Sequence, residues 1–212
     1  MLPIGVLNAL HDEYCRRFHE ELRMIVEQVC LAELVFEVHE ELSGKNWKFE
    51  DCFNNYFRCS FDWLALSLSR VWESDSRLDS TVTIPNLVNH FEEVKHLGFK
   101  GLKVGEVNRK HFHSLYSNPI LTRLRVARTE VFAHSVTIGK SRDRNISDIN
   151  GVNGFNVRNG ELVQFGHDTA VLLRELLSGL VAKKYRVDLT FAQLKERSSA
   201  SHRAFLLKLL EP

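Results

Sequence analysis

Hydrophobic side chains recur every three or four residues along most of the chain. This spacing places side chains on one face of an α-helix, so it predicts helices over about 7–43 and about 50–73. The first helix is expected to end at Ser43-Gly44, since glycine is common just after a helix C-terminus. The second is rich in phenylalanine, which predicts a central place in the core. The two runs are Leu22, Ile25, Val29, Ala32 and Phe36, and Phe53, Phe57, Phe61, Leu64, Leu68 and Val71.

The same spacing predicts further helices downstream. A helix over 83–98 would begin with a threonine cap and a proline in its first turn. Two C-terminal helices are predicted within 167–211, the second of them opened by a capping box. A helix over 119–138 would bury one face, formed by Ile120, Leu124, Ala127, Val131 and Ile138.

Residues 139–166 break the helical pattern. Asn159-Gly160 lies between two apolar stretches, and this dipeptide is typical of the two-residue turn of a β-hairpin. A short hairpin is therefore predicted near 155–165. The fold class predicted for residues 1–212 is a single all-α domain, a mostly antiparallel up-and-down bundle of five or six helices with that hairpin as an insertion.

Composition narrows the class of protein. A hydrophobic content of 44% with 26% charged residues excludes a disordered chain. The four cysteines lack metal-site spacing, so we expect reduced cysteines and neither a metal nor another cofactor. The apolar runs are too short to cross a bilayer, and the charges near the N-terminus follow its apolar stretch, which is the wrong order for a signal peptide. These features predict a cytoplasmic protein.

The net charge of +1 conceals a divided chain. Residues 8–50 contain ten acidic and five basic residues, whereas residues 121–144 contain six basic and two acidic ones. A uniform basic coat is thereby excluded, but one local basic segment remains that could contact a polyanion.

That basic segment contains an arginine and a histidine separated by five residues, Arg128 and His134. With seventeen arginines, ten histidines and three permitted spacings, roughly two to three such pairs are expected by chance. Arg197/His202 is the other pair and is treated as the chance one, because no comparable context surrounds it. Arg128/His134 gains weight from its place late in a predicted amphipathic helix.

The stretch Arg128-Thr-Glu-Val-Phe-Ala-His134 resembles the signature of the HEPN superfamily of helical ribonuclease-like domains. Phe61 to Glu73, which ends in Ser69-Arg70-Val-Trp-Glu73 and is followed by a loop and Thr83-Ile-Pro85, resembles its abortive-infection, AbiU-like branch. The resemblance covers about residues 15–140, and it leaves the hairpin and the C-terminal helices, 167–211, as an extension.

Helical geometry separates the two motif residues by about 120° around the axis and about 9 Å along it. The resemblance implies that a homodimer brings two copies of each into one cleft. It further implies metal-independent RNA cleavage. His134 would then take or give a proton during attack by the ribose 2′-hydroxyl, and Arg128 would stabilise the charged transition state.

Other residues are predicted to support this chemistry. Active members of the family often have Asn, Asp or His directly after the motif arginine, and this chain has Thr129 at that position. Glu130 lies four residues before His134, within reach to orient its ring, and Arg70 belongs to the second block of the resemblance. The residues predicted to contact RNA phosphates are Arg123, Arg125, Lys140, Arg142 and Arg144.

Simpler interpretations compete with these. His134 shares a face with the hydrophobic residues of its helix, as a hydrogen-bonded core histidine would, and the arginines of that helix could form a solvated face. Arg70 and Glu73 could form a local ion pair. His111-x-His113 could bind a metal, but no second pair of ligands is evident. The competing functional hypothesis is therefore a catalytically inactive helical module that binds an antitoxin-like or regulatory protein.

Overall fold

The computed structural model describes residues 4–42, 50–73, 83–96, 107–128, 157–178 and 191–210. Within these segments the chain forms seven helices and no strand, so the all-α fold class is confirmed. The helices are α1 (Ile4–Leu42), α2 (Glu50–Val71), α3 (Ile84–His96), α4 (Arg109–Tyr116), α5 (Pro119–Ala127), α6 (Asn159–Ser178) and α7 (Phe191–Leu210).

The helix count in these segments exceeds the predicted five or six partly because α4 and α5 are separate. Asn118 interrupts them: its side chain accepts a hydrogen bond from the backbone N–H of Ile120, and Pro119 occupies the first turn of α5. Both features are typical of a helix N-terminus. The local sequence therefore starts a new helix here.

Helix α1 lies at the centre of the fold and packs against α2, α6 and α7. Eight of the eleven residues from Ile25 to Val35 are buried, so this part of the helix is covered on more than one side. The predicted apolar face is narrower than the surface of α1 that is buried. Phe36, assigned to that face, is 38% exposed, whereas Leu34 and Val35 beside it are buried.

Helix α2 runs antiparallel to α1. Arg70 bonds to Glu21 at one end of the pair, and the rings of Phe57 and His39 lie 4.5 Å apart, centroid to centroid, near the other. The predicted phenylalanine-rich face is buried at Phe53 and Phe61 and partly exposed at Phe57. The core position predicted for this face is thereby confirmed.

Trp72 directly follows α2 and is fully buried. Its indole N–H donates to the hydroxyl of Thr169 over 3.0 Å, and its ring lies about 6 Å from those of Phe112 and Phe165. A buried indole needs such an acceptor because an unsatisfied donor is costly. Trp72 thus joins α2 to α4 and α6.

The predicted β-hairpin is wrong for residues 159–165, which belong to α6; residues 155 and 156 lie outside the described segments. Asn159-Gly160 occupies the first turn, and the Glu161 carboxylate accepts a hydrogen bond from the backbone N–H of Arg158, as in half of a capping box. Leu162 and Phe165 are buried at helical spacing. Burial of this face outweighs the local preference of Asn-Gly for a turn.

Helix α7 packs through Leu206, which lies in a small buried cluster with Leu31, Val35 and Phe53. This cluster places α7 against both α1 and α2. None of the helices in the described segments combines the length and the apolar composition that crossing a bilayer requires. Of the four cysteines, Cys15 and Cys30 are buried, whereas Cys52 and Cys59 are exposed.

Helices α1 and α6 approach closely at Gly166. A methyl group built on Gly166 would lie 2.6 Å from Cγ2 of Val29, closer than real carbon contacts allow. Val29 is itself almost fully buried, so it has little room to move. The absence of a side chain at position 166 therefore sets the distance between these helices.

We predict that Gly166→Ala lowers the free energy of unfolding by about 1–3 kcal/mol, because the added methyl overpacks the interface with α1. Gly160→Ala is the matched control in the same helix, since nothing lies within 4 Å of a methyl group there. Urea unfolding followed by circular dichroism measures both. Equal stability of the two variants would contradict the close approach.

Two histidines connect α1 and α3. His11 Nδ1 and His90 Nε2 lie 3.0 Å apart, and the His90 ring stacks on Tyr14. Burial, and to a lesser extent the neighbouring His11, lowers the pKa of His90 from its usual 6.5 to about 4. His90 is therefore neutral in the folded protein at neutral pH.

We predict that the free energy of unfolding falls as the pH is lowered from about 6.5 to about 4. In this range the unfolded chain binds a proton at His90 that the folded chain excludes, so acid favours unfolding. Urea titrations across this range are the measurement. His90→Gln is expected to flatten the curve, whereas the control His96→Gln, at an exposed position of the same helix, should leave its shape unchanged.

Candidate functional site

The structure describes four of the predicted site residues: Arg70, Arg123, Arg125 and Arg128. The others lie outside the described residues, namely Thr129, Glu130, His134, Lys140, Arg142 and Arg144. The part of the candidate site that the structure describes consists of the four arginines and the side chains around them.

Arg128 caps the C-terminus of α5 and reaches toward the end of α2. Its guanidinium lies 2.6 Å from a carboxylate oxygen of Glu73, and 42% of its side chain is exposed. The pair joins two helices that are distant in sequence. Because both partners are accessible, an incoming anion could exchange with the carboxylate.

The local ion pair predicted between Arg70 and Glu73 is wrong. Arg70 instead contacts both carboxylate oxygens of Glu21, at 2.7 and 2.6 Å. The reason is that α2 ends at Val71, so Glu73 leaves the helical spacing that would bring it beside Arg70. Each of these arginines is held by a carboxylate from another part of the fold.

Arg123 and Arg125 point elsewhere. Arg123 lies 3.6 Å from Glu161 of α6. Arg125 donates to the backbone carbonyl of Trp72 over 3.4 Å and lies above the ring of Tyr116. Both arginines therefore connect α5 to neighbouring elements, and their predicted contacts with RNA stay a prediction.

Arg70 and Arg128 line one groove of about 510 Å³ between α1, α2 and α7. Its other lining residues combine apolar, polar and charged side chains: Met24, Glu27, Gln28, Leu31, Trp63, Leu66, Ser67 and His202. This groove, called the Arg128 groove below, brings residues from four segments of the chain together.

His202 enters the groove from α7. Burial lowers the pKa of its imidazole, and the nearby carboxylate of Glu27 opposes this shift. A neutral imidazole can accept a proton. The sequence assigned His202 to a chance pair with Arg197, which is exposed, and local spacing gave no sign that His202 faces α1.

Trp63 stands on the rim of the groove with 65% of its surface exposed. Its neighbours Leu64 and Ala65 are buried, so the core of α2 is complete without it. An exposed indole leaves a large apolar area in contact with water. A planar partner that stacks on the ring would cover this area. The phenylalanine face dominates the pattern of α2, so the sequence does not indicate this exposed ring.

Gln28 also lines the groove. Its side-chain oxygen is buried and has no hydrogen-bond partner among the described residues. An unsatisfied buried acceptor costs about 1–3 kcal/mol. Such a group is a candidate for contact with a bound ligand that carries a donor.

The charges around the groove balance. Arg70, Arg128 and Arg23 are paired with Glu21, Glu73 and Glu27, respectively. The groove thus offers oriented guanidinium groups rather than a broad positive potential. A ligand would be recognised by its shape and by contact with the aromatic rings and the planar guanidinium groups that line the groove.

Two further features concern the possible metal ligands His111 and His113 and a second cavity. His111 Nδ1 lies 3.0 Å from a carboxylate oxygen of Glu175, while His113 is exposed. Within the described segments no three potential metal ligands cluster together. A second cavity, of about 520 Å³, lies between α1, α6 and α7, and none of the four predicted site residues that the structure describes lines it.

No protein-family model, curated protein or solved structure matches the chain. The resemblance to the HEPN superfamily therefore depends on the two stretches quoted above, residues 61–85 and 128–134.

We predict that the Arg128–Glu73 pair contributes little to stability. Because both side chains are partly exposed, Glu73→Gln should change the free energy of unfolding by less than about 1 kcal/mol. Glu92→Gln, which breaks the exposed Arg109–Glu92 pair, is the matched control. Urea unfolding compares them. A loss at Glu73 several times that at Glu92 would mean that the pair is structural.

Proposed function

We propose that this protein is a HEPN-like, abortive-infection or toxin-type endoribonuclease that cleaves RNA without a metal. The observation that supports the proposal is the place of Arg128, whose accessible guanidinium lies in a groove beside Arg70 and His202. Planar guanidinium groups bind phosphate through two parallel hydrogen bonds, which suits them to a phosphodiester.

In the proposed reaction the ribose 2′-oxygen attacks the adjacent phosphorus and the bond from phosphorus to the 5′-oxygen breaks. The products are a 2′,3′-cyclic phosphate and a 5′-hydroxyl. His134 transfers a proton during this exchange, and Arg128 stabilises the charge that builds on the phosphoryl oxygens. The substrate phosphate takes the place of Glu73 on the Arg128 guanidinium.

The proposal includes a homodimer. On the helix predicted over 119–138, Arg128 and His134 would be separated by about 120°, so a cleft that uses both needs a second copy of the chain. Lys140, Arg142 and Arg144 follow the motif closely and would contact the RNA backbone. The proposed setting is the cytoplasm, with an antitoxin-like protein as the neutralising partner.

The second candidate is a catalytically inactive module that binds such a protein partner. It is favoured by the pairing of both groove arginines with carboxylates and by the exposure of Trp63 and Met24 on the same groove. Tryptophan, methionine and arginine are enriched at protein interfaces. This candidate requires no cleavage chemistry.

We predict that the wild-type protein cleaves a mixed RNA substrate in EDTA. Arg128→Ala and His134→Ala should each lower the rate at least about 100-fold, because they remove charge stabilisation and proton transfer. Arg109→Ala is the control, since it removes an exposed, carboxylate-paired arginine that does not line the groove. Gel analysis of the products is the measurement.

Intact RNA after long incubation with wild type and variants alike would reject the nuclease and favour the interaction module. The mass in solution at micromolar concentration tests the dimer separately. A strict monomer would remove the argument for a composite cleft even if Arg128 contributes to binding.

A further inference from the structure

We infer that the Arg128 groove binds one unpaired nucleotide of single-stranded RNA, with its base stacked on Trp63 and its phosphates held by Arg70 and Arg128. The identity of the ligand as RNA rests on the proposed function. The binding mode rests on the side chains of the groove.

Trp63 supplies the stacking surface. It is 65% exposed although Leu64 and Ala65 beside it in α2 are buried, so the core of this helix does not require an indole there. A base stacked on an aromatic ring covers apolar area on both partners, and every base offers a suitable face. Trp63 therefore fits a ligand with a flat aromatic group.

Arg70 and Arg128 supply the phosphate contacts. Their side chains are 52% and 42% exposed, so both guanidinium groups are accessible from the groove. Glu21 and Glu73 hold them at 2.6 Å and so restrict their orientations. A phosphate can replace Glu73 without leaving an uncompensated charge in the interior, because that carboxylate is itself partly exposed.

The volume of the groove suits a nucleotide. About 510 Å³ is within the range of sites for small molecules. Single strands are favoured over a duplex, because paired bases are stacked on one another and expose no face to an indole.

Gln28 and Ser67 give the groove polar contacts for the edge of a base. The side-chain oxygen of Gln28 is buried and has no partner within the described part of the chain, so it would accept a hydrogen bond from a base amino group once the side chain turns toward the groove. The groove thus combines three kinds of group that recognise an unpaired nucleotide. An aromatic ring stacks on the base, guanidinium groups bind the phosphates, and an amide contacts the edge of the base.

The test is binding of a labelled 2′-O-methyl oligonucleotide of about ten nucleotides to the full-length chain by fluorescence anisotropy. The methyl group blocks the 2′-oxygen, so binding is measured without cleavage. We expect Trp63→Ala to weaken binding at least about tenfold and Trp63→Phe to stay within about threefold of wild type, since a phenyl ring also stacks. Arg109→Ala, outside the groove, should bind as wild type does.

The salt dependence is a second readout. Two phosphate contacts predict a slope of log affinity against log salt no steeper than about −1.5. A much steeper slope would place the main contacts on a broader basic surface and overturn the inference. Circular dichroism and urea unfolding establish that the Trp63 variants are folded.

The outcomes separate this inference from the proposed function. If wild type does not bind the oligonucleotide, or if Trp63→Ala binds it as tightly as wild type, the inference is wrong even where RNA cleavage is observed. Binding that depends on Trp63 without any cleavage by wild type would support the inference and reject the nuclease. Loss of a protein partner in Trp63→Ala, with RNA binding unchanged, would assign the groove to that partner.

Discussion

The packing of α1 on more than one side is the constraint on which the rest of the fold depends. Eight of the eleven residues from Ile25 to Val35 are buried, and a helix buried on more than one side is stable only when other elements cover it. Helices α2, α6 and α7 provide the cover. The contact with α6 is especially close, because Gly166 leaves no side chain between the α6 backbone and Val29.

The Arg128 groove follows from the same packing. Its floor and walls come from α1, α2 and α7, and Arg128 is added from the end of α5. Trp72 fixes the end of α2 through its hydrogen bond to Thr169, and the next residue, Glu73, holds Arg128. The position of the candidate site is therefore determined by core contacts that themselves take no part in binding.

The basic residues of the segment 121–144 are close together in the sequence, but those that the structure describes do not lie together on the folded surface. Arg123, Arg125 and Arg128 are close in the chain, yet they contact Glu161, the Trp72 carbonyl and Glu73, respectively. They project at different angles around the helix and contact different neighbours, so they do not form one patch. Recognition of RNA by the groove would thus depend on stacking and oriented hydrogen bonds more than on a long-range field.

The sequence alone determined most helices and many buried residues, because the spacing of Phe53, Phe61 and Leu64 is a local property that a helix converts directly into a face. It also singled out Arg128. Only the tertiary structure decided that Asn159-Gly160 begins a helix, that Arg70 pairs with Glu21, and that Trp63 and His202 share a groove with Arg128. These outcomes depend on which helix faces meet, and contacts between distant segments leave no local pattern in a single sequence.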